Sequence, residues 1–172
     1  VLGNVAGLAL YALGLKRWQD LLTFGFHIPL PAVSGKRSNN DILGRPRTYA
    51  RLQPGQEFSY KNWVEAVRAG RTFVTHGLLL SFTFNDQNAG AVFDLPGSPT
   101  SVHVLAEARS LFPFTRLEVV HTGVVVSHAD AVGAPFHAAI EADIRITAPG
   151  WIAAPAALCF HGDKECAETA RR

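Results

Sequence analysis

The chain has 172 residues, enough for one domain or two small ones of about 100 residues each. At 48% hydrophobic and 17% charged it can build a core, which excludes a disordered chain. A net charge of +2, with basic residues scattered along the chain, is too small to imply a nucleic-acid or anionic-membrane surface, and neither partner is expected.

The first residue is Val1 and the sequence holds no methionine, which reads as a segment of a longer protein. The apolar run from Val1 to Leu15 ends at Lys16, short of the roughly 20 residues of a membrane span. No basic residue precedes it, so it does not read as a signal peptide either. Leu8, Tyr11, Leu15, Trp18 and Leu22 recur at spacings of three and four, the apolar face of a helix that Gly25 ends. Ile28 to Val33 reads as a buried strand running into a polar loop, Ser34 to Asp41. Thr48 to Leu52 reads as a second strand, and Pro54-Gly55 marks a turn. Ser59 is placed to cap a helix whose apolar face is Tyr60, Trp63, Val64 and Val67, closed by Gly70. Arg71 to Thr75 returns as a strand. This alternation predicts an α/β layer.

Beyond Gly77 helical periodicity gives way to short β-rich runs: Leu79–Phe84, Val102–Ala108, Arg116–His121, Val124–His128 and Ala138–Ile146. Turn residues at this spacing predict a β-sandwich, with Thr122-Gly123 as a hairpin turn. The boundary is expected near Gly77, giving an α/β part over 1–77 and a β-sandwich-like part over 78–172. Ala153 to Ala157 is Ala/Pro-rich and Asp163 to Arg172 is charged, so neither reads as a last strand and the second part is expected to be truncated. Cys159 and Cys166 have neither zinc-site spacing nor the number of a disulfide framework, and read as two thiols or a single bridge.

Four segments carry a family resemblance: WQDLLTFGF (18–26), HIPLPAVSGKR (27–37), GRPRTYAR (44–51) and FSYKNWVEAVRAGRTFVTHG (58–77), the last being the longest and most specific. Together they resemble the carboxy-terminal part of the CehA/McbA group of metallohydrolases in the PHP (polymerase and histidinol phosphatase) superfamily. The resemblance implies a distorted α/β barrel, of which 1–77 would be a remnant, followed by a β-domain. It also implies a divalent metal, zinc or manganese, and cleavage of ester, carbamate or phosphoester bonds. Most of the family's His, Asp and Glu ligands would come from a preceding barrel half, so the chain by itself is expected to be inactive and to hold no metal. One ligand, an Asp after a Gly-Ser or Gly-Thr pair, would fall within the segment. Arg37 occupies its position, and a guanidinium offers no lone pair to a cation.

The histidines form no H-x-H pair and no H-E-x-x-H. His76, at a strand end inside the longest motif, is retained as a site residue against a plain structural role. Ser34-Gly35-Lys36-Arg37 lacks the first glycine and the final hydroxyl residue of a nucleotide P-loop. An anion site remains, since Lys36, Arg37, Arg45 and Arg47 crowd together with hydroxyl and amide donors; the bland reading is a solvated basic loop. The expected anion- or substrate-binding set is therefore Ser34, Lys36, Arg37, Arg47 and His76, with no catalytic and no metal residue assigned. No G-x-S-x-G elbow is present. The expected partners are a small-molecule or anionic substrate and an amino-terminal half of the same protein. The alternatives to a hydrolase segment are a non-catalytic anion- or ligand-binding module and a β-sandwich interaction domain.

Overall fold

The computed structural model describes residues 12–35, 38–40, 43–44, 46–94 and 99–158. With 43% strand and 13% helix the fold is β-rich.

Helix α1 (Ala12–Thr23) buries Trp18 and Leu22, one turn apart on the predicted face. Gly25 ends it at φ +87°; its N–H reaches the Leu22 carbonyl and the Phe26 N–H reaches that of Leu21, both at 3.0 Å. These two hydrogen bonds close the last turn around a left-handed residue.

The predicted strand over Ile28 to Val33 is not one. The segment is irregular, and Ile28 and Val33 are exposed. Pro29 and Pro31 remove two ladder donors, and side chains take over the pairing. The Trp18 indole donates to the Ile28 carbonyl at 2.7 Å. The Thr48 hydroxyl accepts from the Ala32 N–H at 2.7 Å and donates to the Ala32 carbonyl at 2.9 Å.

Strands β1 (Arg47–Ala50) and β2 (Thr72–Thr75) form an antiparallel ribbon joined through helix α2 (Tyr60–Arg68). Ser59 caps α2 as predicted, accepting from the Asn62 N–H. Gly70, at φ +69°, follows its end. Ala66 is fully buried, but Tyr60 is 81% exposed, so the apolar face starts at Trp63. Periodicity gives Tyr60 an angle around the axis; it does not say whether the first turn overlaps a neighbour.

The remaining strands are β3 (Leu79–Phe84), β4 (Gln87–Asn88), β5 (Thr100–Ser110), β6 (Phe114–His121), β7 (Val124–Asp130), β8 (Phe136–Ile146), β9 (Ile152–Ala153) and β10 (Ala156–Leu158). One antiparallel sheet runs β4-β3-β5-β8, and a second runs β10-β6-β7 with β9 also on β6. Val102, Val104, Ala106 and Ala108 alternate inward from β5 and share one core with Phe114, Leu117 and Val119 from β6. This is the packing of two sheets face to face. Thr122 and Gly123 take φ +46° and +83° in the hairpin joining β6 to β7, the expected primed turn.

Two features of this part depart from the sequence pattern. Val119 and Val120 are both buried, on opposite faces of β6 by the ordinary pleat, and the register shift between them leaves the extra residue, Val126, on β7. Val120 joins Trp18, Leu22, Trp151 and Ala153 in a second cluster, where α1 covers the outer face of the sheet. The Trp151 indole donates to the Thr23 hydroxyl at 2.9 Å across that contact. The stretch Ala153 to Ala157, read above as no strand, supplies residues of β9 and β10. Pairing to β6 decides this over composition: Pro155 needs no donor there, and its carbonyl accepts from the Glu118 N–H at 2.9 Å. The charged tail and both cysteines lie outside the described residues.

Candidate functional site

The ribbon β1–β2 sets the geometry. Side chains two apart on a strand share a face. Arg47 and Tyr49 therefore stand on one face of β1 with Thr75 and Phe73 opposite them in register, and one residue past the strand ends the Arg51 N–H to Arg71 carbonyl bond brings Arg51 and Arg71 together. Tyr49 and Phe73 stack with centroids 4.9 Å apart and planes 9° from parallel. The Arg47 guanidinium sits 5.7 Å from the Tyr49 ring centroid, within cation–π range. One face thus carries an aromatic pair with an arginine at one end and two at the other.

At the Arg47 end the loop is tied down. Arg47 Nη1 donates to the Gly44 carbonyl at 2.7 Å, while the Ser34 hydroxyl accepts from the Gly44 N–H at 2.7 Å. Arg47 Nε is buried without a hydrogen-bond partner among the described residues. A buried donor of this kind calls for an acceptor. Thr75, buried opposite Arg47, donates through its hydroxyl to the Leu78 carbonyl at 2.6 Å and accepts from the Gly77 N–H at 2.9 Å. These bonds turn β2 into β3 around the half-buried His76. Phe112 closes over Gly77: a Cβ there would meet its ring at 3.6 Å. Of the expected set, Ser34, Arg47 and His76 therefore gather at one end of the ribbon. Lys36 and Arg37, with Arg45 and Asp41, lie outside the described residues.

At the other end, the Arg51 N–H donates to the Arg71 carbonyl at 2.8 Å, and Arg71 Nε donates back to the Arg51 carbonyl at 3.3 Å. Arg51 Nη1 also donates to the Asn88 side-chain oxygen. Among the described residues no carboxylate comes within 4.0 Å of either guanidinium. Like charges directly opposite on neighbouring strands repel. A cavity of about 250 Å³ opens here, walled by Tyr49, Arg51, Arg71, Phe73, Ser81 and Asn88. Its Asn88 wall is fixed by the turn after β4. Gly90, at φ +86°, lies so close to the end of α2 that a Cβ would fall 2.1 Å from the Ala69 carbonyl oxygen.

Sequence reasoning missed Arg51, Arg71, Tyr49 and Asn88. The signal for the first three was present: Arg47-x-Tyr49-x-Arg51 and Arg71-x-Phe73 alternate with period two. Asn88 had no local signal, since only tertiary packing brings it to Arg51.

Other polar clusters lie on the outer face of the β5–β8 pair. His103 Nδ1 is 3.1 Å from Asp143, and His137 Nε2 is 3.0 Å from Glu107. The Arg109 side chain, hydrogen-bonded to Glu107, holds that carboxyl below its ordinary value, with His137 adding to the effect and desolvation opposing it. These pairs are largely exposed. Among the described residues no three His, Cys, Asp or Glu side chains converge on a cation position. Among the same residues no helix is long and apolar enough to cross a membrane. Comparison with known proteins finds no matching family, no similar curated protein and no similar solved structure.

Proposed function

We propose that the chain is the carboxy-terminal part of a CehA/McbA-like, metal-dependent hydrolase of the PHP superfamily, with 1–77 the end of its barrel, and that this part holds the anionic portion of the substrate. The observation that supports this is the face of β1–β2, where Arg47, Arg51 and Arg71 flank the stacked Tyr49 and Phe73. Guanidinium forks recognise carboxylate and phosphate oxygens bidentately, and each charge-assisted bond contributes roughly 1.5–3 kcal/mol when partly desolvated. The described residues do not fit a metal site. On this reading a zinc or manganese ion is held elsewhere in the protein, where it would activate a water and polarise the scissile group. The described chain positions substrate, with Arg47 anchoring the loop that carries Ser34.

A non-catalytic anion-binding module is the second reading. Arg37 favours it, since it stands where the resembling family carries an acidic ligand.

Calorimetric titration of the chain with inorganic sulfate and phosphate tests the shared part of both readings. Saturable binding tighter than about 10 mM, equivalent to roughly 2.7 kcal/mol, is expected, weakened by salt and by Arg47→Gln. Absence of binding at that concentration removes both. Hydrolysis of an anionic ester by the longer protein, with KM raised by Arg47→Gln, separates the hydrolase from the module.

A further inference from the structure

The Arg51–Arg71 end of the ribbon has a shape that anion recognition alone does not require. We infer that the cavity beside Arg51 and Arg71 binds a small planar aromatic carboxylate, the acid on the paired guanidiniums and the ring against the Tyr49–Phe73 wall; this rests on the anion-binding reading and names its ligand class. Arg51 and Arg71 face each other across the ladder without a carboxylate within 4.0 Å among the described residues. An anion between them removes the repulsion that the register imposes. Arg51 is held toward the cavity by Asn88, whose turn is locked against α2 through Gly90. Charge, amide and wall are therefore in place before a ligand arrives, which lowers the ordering cost of binding.

The rest of the cavity sets the class. About 250 Å³ lies at the small end of ligand pockets, yet exceeds what a bare oxyanion fills. An inorganic ion would use the guanidiniums and leave the aromatic wall against water. A neutral aromatic would use the wall and leave two like charges opposed. A single ring bearing one carboxylate satisfies both surfaces. Phe73 packs against the inter-sheet core and Tyr49 stacks on it, which steadies the wall.

The probe is benzoate, titrated into the chain beside acetate, sulfate and benzyl alcohol, with binding followed by calorimetry and by saturation transfer from the protein to the benzoate ring. Benzoate is expected to bind at least tenfold tighter than acetate or sulfate, with transfer strongest to the ring edge opposite the acid. Arg71→Gln is expected to reduce benzoate affinity at least tenfold. Arg71→Lys, which keeps the charge and loses the fork, is expected to fall between. Ser81→Phe fills the cavity from an exposed position and leaves both arginines, so it is expected to abolish benzoate binding while sulfate still binds. Thermal unfolding of each variant identifies any that lose the fold, and Ser81→Phe keeps the test decisive if the arginine variants do. Sulfate binding with no benzoate preference overturns this inference and leaves the anion-binding reading standing. Benzoate binding unchanged by Ser81→Phe also overturns it. Binding of no anion overturns both.

Discussion

The segment 12–77 and the strands from β3 onward satisfy their backbones by different means. β5 and β8 pair without interruption from Thr100↔Ile146 to Ser110↔Phe136. Every second residue of β5 then faces the core by the pleat alone. The earlier segment has two helices but only the short ribbon β1–β2 as ladder, and individual side chains pin the irregular stretches between them: Trp18 on Ile28, Thr48 on Ala32, Ser34 and Arg47 on Gly44, Thr23 on Trp151. A ladder spreads its stability over many equivalent bonds, so what breaks it is loss of the shared core. A pinned loop depends on named groups, so single polar changes release it locally. The candidate site lies on the ribbon where the two arrangements meet.

The largest effect is expected in the core. Phe114 is fully buried between the sheets, and Phe114→Ala should cost roughly 3–5 kcal/mol in chemical denaturation, by lost transfer energy and a residual cavity. A loss under about 1 kcal/mol would mean that the two sheets do not share one core.

Next comes the junction. Gly90→Ala places a methyl 2.1 Å from the Ala69 carbonyl oxygen at a positive φ. Backbone must shift on one side, at roughly 1–3 kcal/mol. Since the same turn presents Asn88 to Arg51, anion binding should weaken more than Arg51's own neighbours would explain. Unchanged stability and binding would show that α2 and the β4 turn are not held in register.

A smaller change should separate the two arrangements most clearly. Thr48→Val keeps shape but removes the hydroxyl that serves both Ala32 backbone groups. The cost is about 1 kcal/mol per lost bond, and it should fall locally. Hydrogen exchange at the Ala32 amide should accelerate strongly while amides of β5 and β8 keep their protection. Uniform acceleration along the chain would contradict the distinction between pinned loop and ladder.

The same distinction explains what the sequence made legible. The runs for β3, β5 and β8 were readable because alternation and ladder coincide there; β6 and β7 were readable as valine-rich runs on either side of Thr122-Gly123, a dipeptide that suits two positive φ values. Ile28 to Val33 misled because its apolar residues look like a strand while Pro29 and Pro31 deny it a ladder. Ala153 to Ala157 misled in the opposite sense, since β6 supplied the pairing that composition hid. Ser34 and Arg47 were named from the basic loop and, for Arg47, from the resembling G-x-x-R-x-Y segment. Arg51 and Arg71 were passed over because neither belongs to the basic cluster that drew attention; they meet only across the ribbon.

The smallest effect concerns acid, and it falls at the β6 end beside α1. His121 closes β6, pairs with Ile152 and Val124, and stands against Gly150, where a Cβ would lie 3.2 Å from its Nε2. Burial holds its imidazole below the ordinary value of 6.5. Between the folded value and 6.5 the unfolded chain binds more protons than the folded one, so stability rises with pH across that window. The contribution is complete above 6.5 and is lost as pH falls through 6.5 toward the folded value. Glu107 acts in the same direction but only below 4.5, where protonation releases its bond to Arg109. The two windows do not overlap near pH 6, so the difference between the parent chain and His121→Gln isolates the histidine. Thermal unfolding midpoints of the parent should fall slightly between pH 7 and pH 5.5, and His121→Gln should flatten that slope without altering the loss below 4.5. A slope that survives His121→Gln would place its origin away from the contact between α1 and the sheet.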